Sequence, residues 1–106
     1  MNWNTIPAER VSDGIERQVV VGDKLMICRL TIQPRVVTPV HSHVHEQVTM
    51  VERGRVLYIV DGVERVVSPG DILHFPAHLS HGATMLEEEV VLVDVFTPMR
   101  EDFLHR

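Results

Sequence analysis

The feature that most constrains this chain is a succession of short apolar runs, rich in Val, Ile and Leu and separated by turn-forming residues. Runs of about four to eight such residues are typical of β-strands, whereas helices show a 3.6-residue period over longer segments. Asp61-Gly62 predicts a tight hairpin, because both residues tolerate a positive φ. The only helical indication is the short tail at 100–106. The sequence predicts strands at residues 16–21, 24–33, 36–40, 47–52, 55–60, 63–67, 71–75 and 89–96.

Several of these runs are apolar at consecutive positions, which indicates strands that are covered on both faces. The segment Val90-Val-Leu-Val-Asp-Val-Phe96 is the clearest case. Such strands suit a closed or two-layered barrel rather than a sheet with one solvated face. The 106 residues are enough for a single domain. We therefore expect one all-β barrel, with residues 1–14 as an N-terminal arm and residues 98–106 as a C-terminal tail.

Charge and cysteine content exclude several classes of function. The formal net charge is -5 and the ten basic residues are scattered, whereas surfaces that bind nucleic acid or anionic membranes need clustered Lys and Arg. The N-terminus lacks the pattern of a signal peptide and no run approaches membrane-spanning length, so we expect a cytoplasmic protein. Cys28 is the only cysteine, which rules out an internal disulfide and favours a packing role for its thiol.

A group of histidines predicts a metal site. His41 and His43 alternate along an extended segment, so their imidazoles point the same way. Gln47 has the same parity and follows a predicted bend at residues 44–46, which would return its carbonyl oxygen toward the two imidazoles. His81, in a predicted loop after a strand, is the candidate for the fourth ligand. The sequence thus predicts a divalent metal ion held by His41, His43, Gln47 and His81.

The other four histidines have simpler interpretations, since a single histidine is more often a surface or a satisfied core residue than a ligand. His45 is left as an alternative ligand or as a group that supports one. His74 is expected to lie on a strand face away from the metal, and no role is predicted for His78 or His105.

These residues resemble the first of the two motifs of the cupin family, Gly-x5-His-x-His-x3-Glu-x6-Gly. His41, His43 and Gly54 match the motif, while Arg35 replaces its first Gly and Gln47 replaces its Glu. A set of three imidazoles and one amide is neutral, so a bound divalent ion keeps both charges and favours an anionic substrate. Zn, Ni, Fe, Mn and Co all suit such a set.

The second cupin motif, Gly-x5-Pro-x-Gly-x2-His-x3-Asn, is matched at Gly70, Pro76 and His81, with His78 in place of the Gly and Met85 in place of the Asn. Fifteen residues separate the two motifs, as in small bacterial cupins. The resemblance implies a double-stranded β-helix of the jelly-roll type.

A longer pattern is similar to one branch of that family, the KdgF-like pectin-degradation cupins. It joins His-Ser-His-x-His-Glu-Gln to Asp94-Val-Phe96-Thr-Pro-Met-Arg100. The resemblance implies a homodimeric, metal-dependent enzyme that converts 4,5-unsaturated uronates, small anionic carbohydrates, to a linear 5-keto-4-deoxyuronate. It assigns Asp94, Phe96 and Arg100 to the active site.

The residues themselves support part of that assignment. Asp94 shares a strand face with Leu92 and Phe96, so its carboxylate is expected to be buried, which needs a cation or hydrogen bonds in compensation. Alternatives stay open for each residue: Asp94 on an edge strand reaching solvent, Phe96 as plain core, and Arg100 paired with a neighbouring carboxylate. At the level of function, the alternatives are a dioxygenase, another sugar isomerase and a non-catalytic binding domain.

Overall fold

A computed structural model describes residues 1–103 of the chain. Short 3-10 helices occur at Trp3–Thr5 and Glu101–Phe103. The rest of the described regular structure is strand: β1 (Glu9–Ser12), β2 (Ile15–Val21), β3 (Met26–Ile32), β4 (Val37–His41), β5 (Glu46–Arg53), β6 (Val56–Val60), β7 (Val63–Val67), β8 (Ile72–Phe75), β9 (His81–Met85) and β10 (Val90–Thr97).

The strands form two antiparallel sheets that pack face to face. One has six strands in the order β1-β2-β3-β10-β5-β8, and the other has four in the order β4-β9-β6-β7. The core between them takes side chains from both sheets, including Val51 and Leu92 from the first and Val56 and Met85 from the second. This confirms the predicted all-β, two-layered barrel.

Strand β10 lies in the middle of the larger sheet, where it pairs with both β3 and β5. Its residues from Val90 to Asp94 are all buried, which explains why this segment is apolar at consecutive positions. Asp94 lies opposite Cys28 on one side and Thr49 on the other. The burial of Asp94 that the sequence predicted is therefore a consequence of its central strand.

Two strands were not predicted. Strand β1 is exposed throughout and Val11 is its one apolar residue, so it lacks the apolar signal of a strand and forms because it pairs with β2. Strand β9 contains Gly82 and Thr84 and reads as a loop, but it pairs with both β4 and β6. The prediction that His81 lies in a loop is thus wrong, because His81 is the first residue of a central strand whose pairing outweighs its local sequence.

Several positions have the positive φ values that turns require. Asp61 and Gly62 have φ values of 49° and 79° and close the predicted hairpin between β6 and β7. Arg35 and His78 also have positive φ, at 66° and 69°, and both stand where the cupin motifs have glycine.

Residues 104–106 of the expected tail, among them His105, lie outside the described range. Within residues 1–103, no helix has the length and apolar character needed to cross a membrane.

Candidate metal centre and its cavity

A bulge in β4 sets the geometry of the histidine cluster. Thr38 pairs with Ala83 and His41 pairs with His81, so β4 uses one residue more than β9 between these two pairs. The extra residue places His41 directly across from His81, as bulges near functional sites do. Gly82 permits this close approach, because a Cβ there would lie 2.9 Å from the Cα of Val40.

Each of the three imidazoles is oriented by a backbone carbonyl two residues away. Nδ1 of His41 lies 2.9 Å from Pro39 O, Nδ1 of His43 lies 2.9 Å from His45 O, and Nδ1 of His81 lies 2.8 Å from Leu79 O. A carbonyl only accepts hydrogen bonds, so each Nδ1 carries the hydrogen and each Nε2 presents a lone pair. Ligating histidines are usually held in this way.

The available nitrogens converge on one point. The ligand atoms of His41, His43 and His81 lie within 4.8 Å of one another. Burial lowers the pKa of His43, and the charge of Arg100 lowers it further. Burial also lowers the pKa of His81, whose ring stacks on Phe75 with centroids 4.4 Å apart. Both effects favour the neutral imidazoles that a metal ion requires.

Hydrogen bonds fix the orientation of the Gln47 amide. The Thr49 hydroxyl donates its hydrogen to Oδ1 of Asp94 at 2.7 Å, so toward Gln47 the hydroxyl oxygen of Thr49 can act only as an acceptor. Nε2 of Gln47 donates to this oxygen at 2.8 Å. The amide oxygen of Gln47 therefore faces the histidines.

The contact between Gln47 and His43 fits a shared cation. Oε1 of Gln47 lies 3.0 Å from Nε2 of His43. In the neutral ring with hydrogen on Nδ1, both atoms carry only lone pairs, and a positive ion between them would satisfy both. The cluster of three histidines, with this amide beside it, can hold a metal ion on the chemistry of its donor atoms.

Asp94 lies at the inner end of this hydrogen-bond chain and is only 6% exposed. Burial raises the pKa of its carboxyl to about 6, against the hydrogen bond from Thr49 and the charge of Arg100. Of the two interpretations that the sequence left open for Asp94, the structure agrees with the buried one.

Phe96 and Arg100 lie next to each other on the same side of the cluster. The Phe96 ring is buried and contacts His43 edge to face, with centroids 5.9 Å apart. The guanidinium carbon of Arg100 lies 5.4 Å from the Phe96 centroid. Arg100 also donates to both carboxylate oxygens of Asp102, at 3.0 and 2.9 Å, so the predicted ion pair is present while Arg100 still lines the cavity.

These groups share one cavity of about 330 Å³ between the two sheets. His41, Gln47, His81, Asp94, Phe96 and Arg100 all line it. Sequence reasoning missed three further polar residues on its wall, Arg17, Thr38 and Tyr58, as well as Thr49 behind Gln47. Arg17 falls between Glu16 and Gln18 and Tyr58 within an apolar run, so neither shows a pattern that marks a site.

The remaining described histidines lie outside the cluster. His45 is half-buried and contacts His43 edge to face, with centroids 5.4 Å apart. His74 is exposed on β8 and hydrogen-bonds to Glu46 at 2.6 Å, as predicted for a residue that faces away from the metal. The side chain of His78 is exposed, while its backbone N–H donates to His43 O at 2.7 Å.

Comparison with known proteins agrees with this architecture. The pectin degradation protein KdgF of Dickeya dadantii is 33% identical over 100 residues, which cover 92% of this chain and 91% of that protein. The solved structure of KdgF from Halomonas sp. matches with a TM-score of 0.91 at 31% identity, over 96% of this chain and 94% of the other.

A second solved structure, an RmlC-like cupin from Shewanella frigidimarina, also matches with a TM-score of 0.91. It is 33% identical, over 97% of this chain and 93% of the other. The cupin domain family matches residues 28–96, which include every residue of the histidine cluster. The chain belongs to the cupin domain family, and within it resembles KdgF proteins.

Proposed function

We propose that this protein is a metal-dependent enzyme that opens the ring of a 4,5-unsaturated uronate and yields a linear 5-keto-4-deoxyuronate. The observation that carries the proposal is a buried carboxylic acid, Asp94, in a cavity beside a neutral set of donor atoms. The likeness to two KdgF proteins, one of them described as a pectin degradation protein, supports the same class of substrate.

In this proposal His41, His43, Gln47 and His81 hold a divalent ion, for which Zn, Ni, Fe, Mn and Co all remain compatible. When bound, the ion supplies Lewis-acid polarisation of the sugar's carboxylate and a neighbouring oxygen. Arg100 adds a second positive charge at this end of the cavity, where it pairs with the same carboxylate. A monomeric, anionic sugar acid is the ligand that such a site favours.

Asp94 is assigned the proton transfers. Opening the ring breaks the bond between C1 and the ring oxygen, while the C1 hydroxyl loses its proton and becomes a carbonyl. The ring oxygen takes up a proton in exchange for the one that the C1 hydroxyl loses, which gives an enol at C5. This enol becomes a ketone when C4 receives a proton and the enol hydroxyl loses one, so atoms and charge balance without a co-reactant. A carboxyl group with a pKa of about 6 can accept a proton and return it near neutral pH. Phe96 forms the apolar wall that keeps water from the ring.

The test is the decay of the ultraviolet absorbance of an unsaturated galacturonate mixed with the purified protein, alongside metal analysis of the same sample. We expect decay well above the rate in buffer. Decay no faster than in buffer, with metal present, would overturn the proposed reaction and favour the non-catalytic binding domain. Oxygen uptake with a diketone or flavonol would instead favour a dioxygenase.

Variants separate the proposed roles. Asp94→Asn keeps an oxygen that accepts from Thr49 but cannot transfer a proton, so kcat should fall by about 10²- to 10⁴-fold with metal content unchanged. His81→Ala should lower both activity and metal content. Asp13→Asn, on an exposed turn, is the matched control and should change neither. Equal loss of metal in Asp94→Asn and His81→Ala would contradict these assignments.

The homodimer also remains a prediction. Sedimentation analysis of the purified protein would test it, with a single species of twice the 12.1 kDa chain mass expected.

A further inference from the structure

Arg17 is a second cation on the cavity wall besides Arg100, and neither cupin motif includes it. Its side chain is only 5% exposed, and it lines the same cavity as Asp94 and most of the donor cluster. The donor cluster is the set formed by His41, His43, Gln47 and His81. A buried guanidinium is costly unless anionic or polar groups compensate its charge. Its presence on the cavity wall therefore needs a reason in packing or in ligand binding.

Strand register places Arg17 at the end of the cavity away from the donor cluster. Arg17 pairs with Leu30, and Leu30 pairs with Leu92, so these three residues form one row across the larger sheet. Phe96, four residues along β10 from Leu92, pairs with Gln47. The row of Arg17 is thus separated from the row of Gln47 by about 13 Å of strand, a gap that long side chains and one small ligand can span.

One hydrogen-bond partner of Arg17, Glu9, is partly exposed to solvent. Glu9 accepts from Nη2 of Arg17 at 3.3 Å, at the long end of hydrogen-bond distances. The Glu9 side chain is 44% exposed, and Glu9 does not line the cavity. A guanidinium has five N–H donors in a planar fork, so it can pair with Glu9 outside and bind a ligand inside.

We propose that Arg17 is a ligand-binding residue that donates hydrogen bonds to the hydroxyl and carbonyl oxygens of a sugar acid at the end opposite its carboxylate. This deepens the proposed function and rests on it for the direction of the ligand, whose acid group lies toward the donor cluster and Arg100. A ligand held at both ends is a single sugar unit with a free C1 end. Arg17 is then a determinant of ligand length and polarity.

The test compares two unreactive probes on the metal-containing protein as purified, by titration calorimetry. D-Galacturonate presents both the acid end and the hydroxyl end, whereas glycolate presents only the acid end. Arg17→Met should weaken galacturonate binding by about 10- to 100-fold, the value of a hydrogen bond from a charged donor. Glycolate binding should not change. Arg17→Lys, which keeps the charge but not the fork, should give an intermediate loss.

Further outcomes would overturn the proposal. Equal galacturonate affinity in wild type and Arg17→Met, an equal loss for both probes, or no galacturonate binding to the wild type would each do so. Glu9→Gln is the matched control, because it removes the negative charge that pairs with Arg17 on the outer side and should leave galacturonate binding at least as tight. A loss as large as that in Arg17→Met would show that the ion pair is structural. The two probes bind without reacting. Their affinities therefore test the role of Arg17 independently of whether the protein turns over an unsaturated uronate.

Discussion

Thr49→Val tests whether the orientation of Gln47 is set by the hydrogen-bond chain behind it. Thr49 is fully buried and has one hydroxyl that accepts from Gln47 and donates to Asp94. Valine keeps the shape of the side chain but leaves a buried N–H and a buried carboxylate without this partner. Each such group costs about 1 to 3 kcal/mol, and the added methyl group offsets about 1 kcal/mol. We expect a net loss of about 1 to 5 kcal/mol in the free energy of unfolding.

The same substitution should weaken metal binding. Thr49 accepts from Nε2 of Gln47 and so turns the amide oxygen toward the histidines, and loss of a group that orients a ligand costs about 10- to 100-fold in metal affinity. Competition with a chelator measures the affinity, and urea unfolding with excess EDTA measures the stability of the metal-free protein separately. Thr49→Ser retains the hydroxyl and should restore metal affinity. Wild-type metal affinity in Thr49→Val would refute this account.

Three further predictions follow from local geometry. Gly82→Ala should lower the free energy of unfolding by about 1 to 3 kcal/mol and should weaken metal binding, since the new Cβ would meet the backbone of Val40. Gly62→Ala is the control and should leave metal affinity unchanged, because a Cβ there has no atom within 4 Å. Equal loss of metal in both variants would contradict this prediction. His78→Gly should stabilise the protein by up to about 1 kcal/mol, because it relieves a positive φ, and a lower melting temperature would argue against it. Burial raises the pKa of the Cys28 thiol to about 12, so labelling by a thiol reagent at pH 8 should require unfolding; rapid labelling of the native protein would count against it.

The strands that the sequence predicts are those whose stability comes from buried apolar side chains. Strand β10 is the clearest case, because burial on both faces appears directly as consecutive apolar residues. The same logic predicted the burial of Asp94 from its neighbours on one face. Strand β9 escaped prediction because its position depends on partners on both sides and on a glycine that lets β4 approach, and neither is a local property.

The candidate site divides in a similar way. The spacing of His41 and His43 predicts their position, since alternation along an extended chain is enough to place two imidazoles on the same side. Arg17 and Thr49 have no such signal. For Arg17, the polar neighbours Glu16 and Gln18 indicate a solvent-exposed position. Only the register across β2, β3 and β10 shows that Arg17 faces inward. Residues that act across strands are visible only once the pairing is known.

The amide at position 47 and the buried acid at position 94 depend on each other. Thr49 has one hydroxyl hydrogen, and Asp94 accepts it. Gln47 can share this hydroxyl because its N–H donates to the oxygen. A glutamate at position 47 would bring a second acceptor and a second negative charge to the same buried hydroxyl, and the two carboxylates would raise each other's pKa values. The glutamine therefore does more than leave a bound ion its full charge, because it is also what allows an ionisable carboxyl group to lie two hydrogen bonds away from the donor cluster.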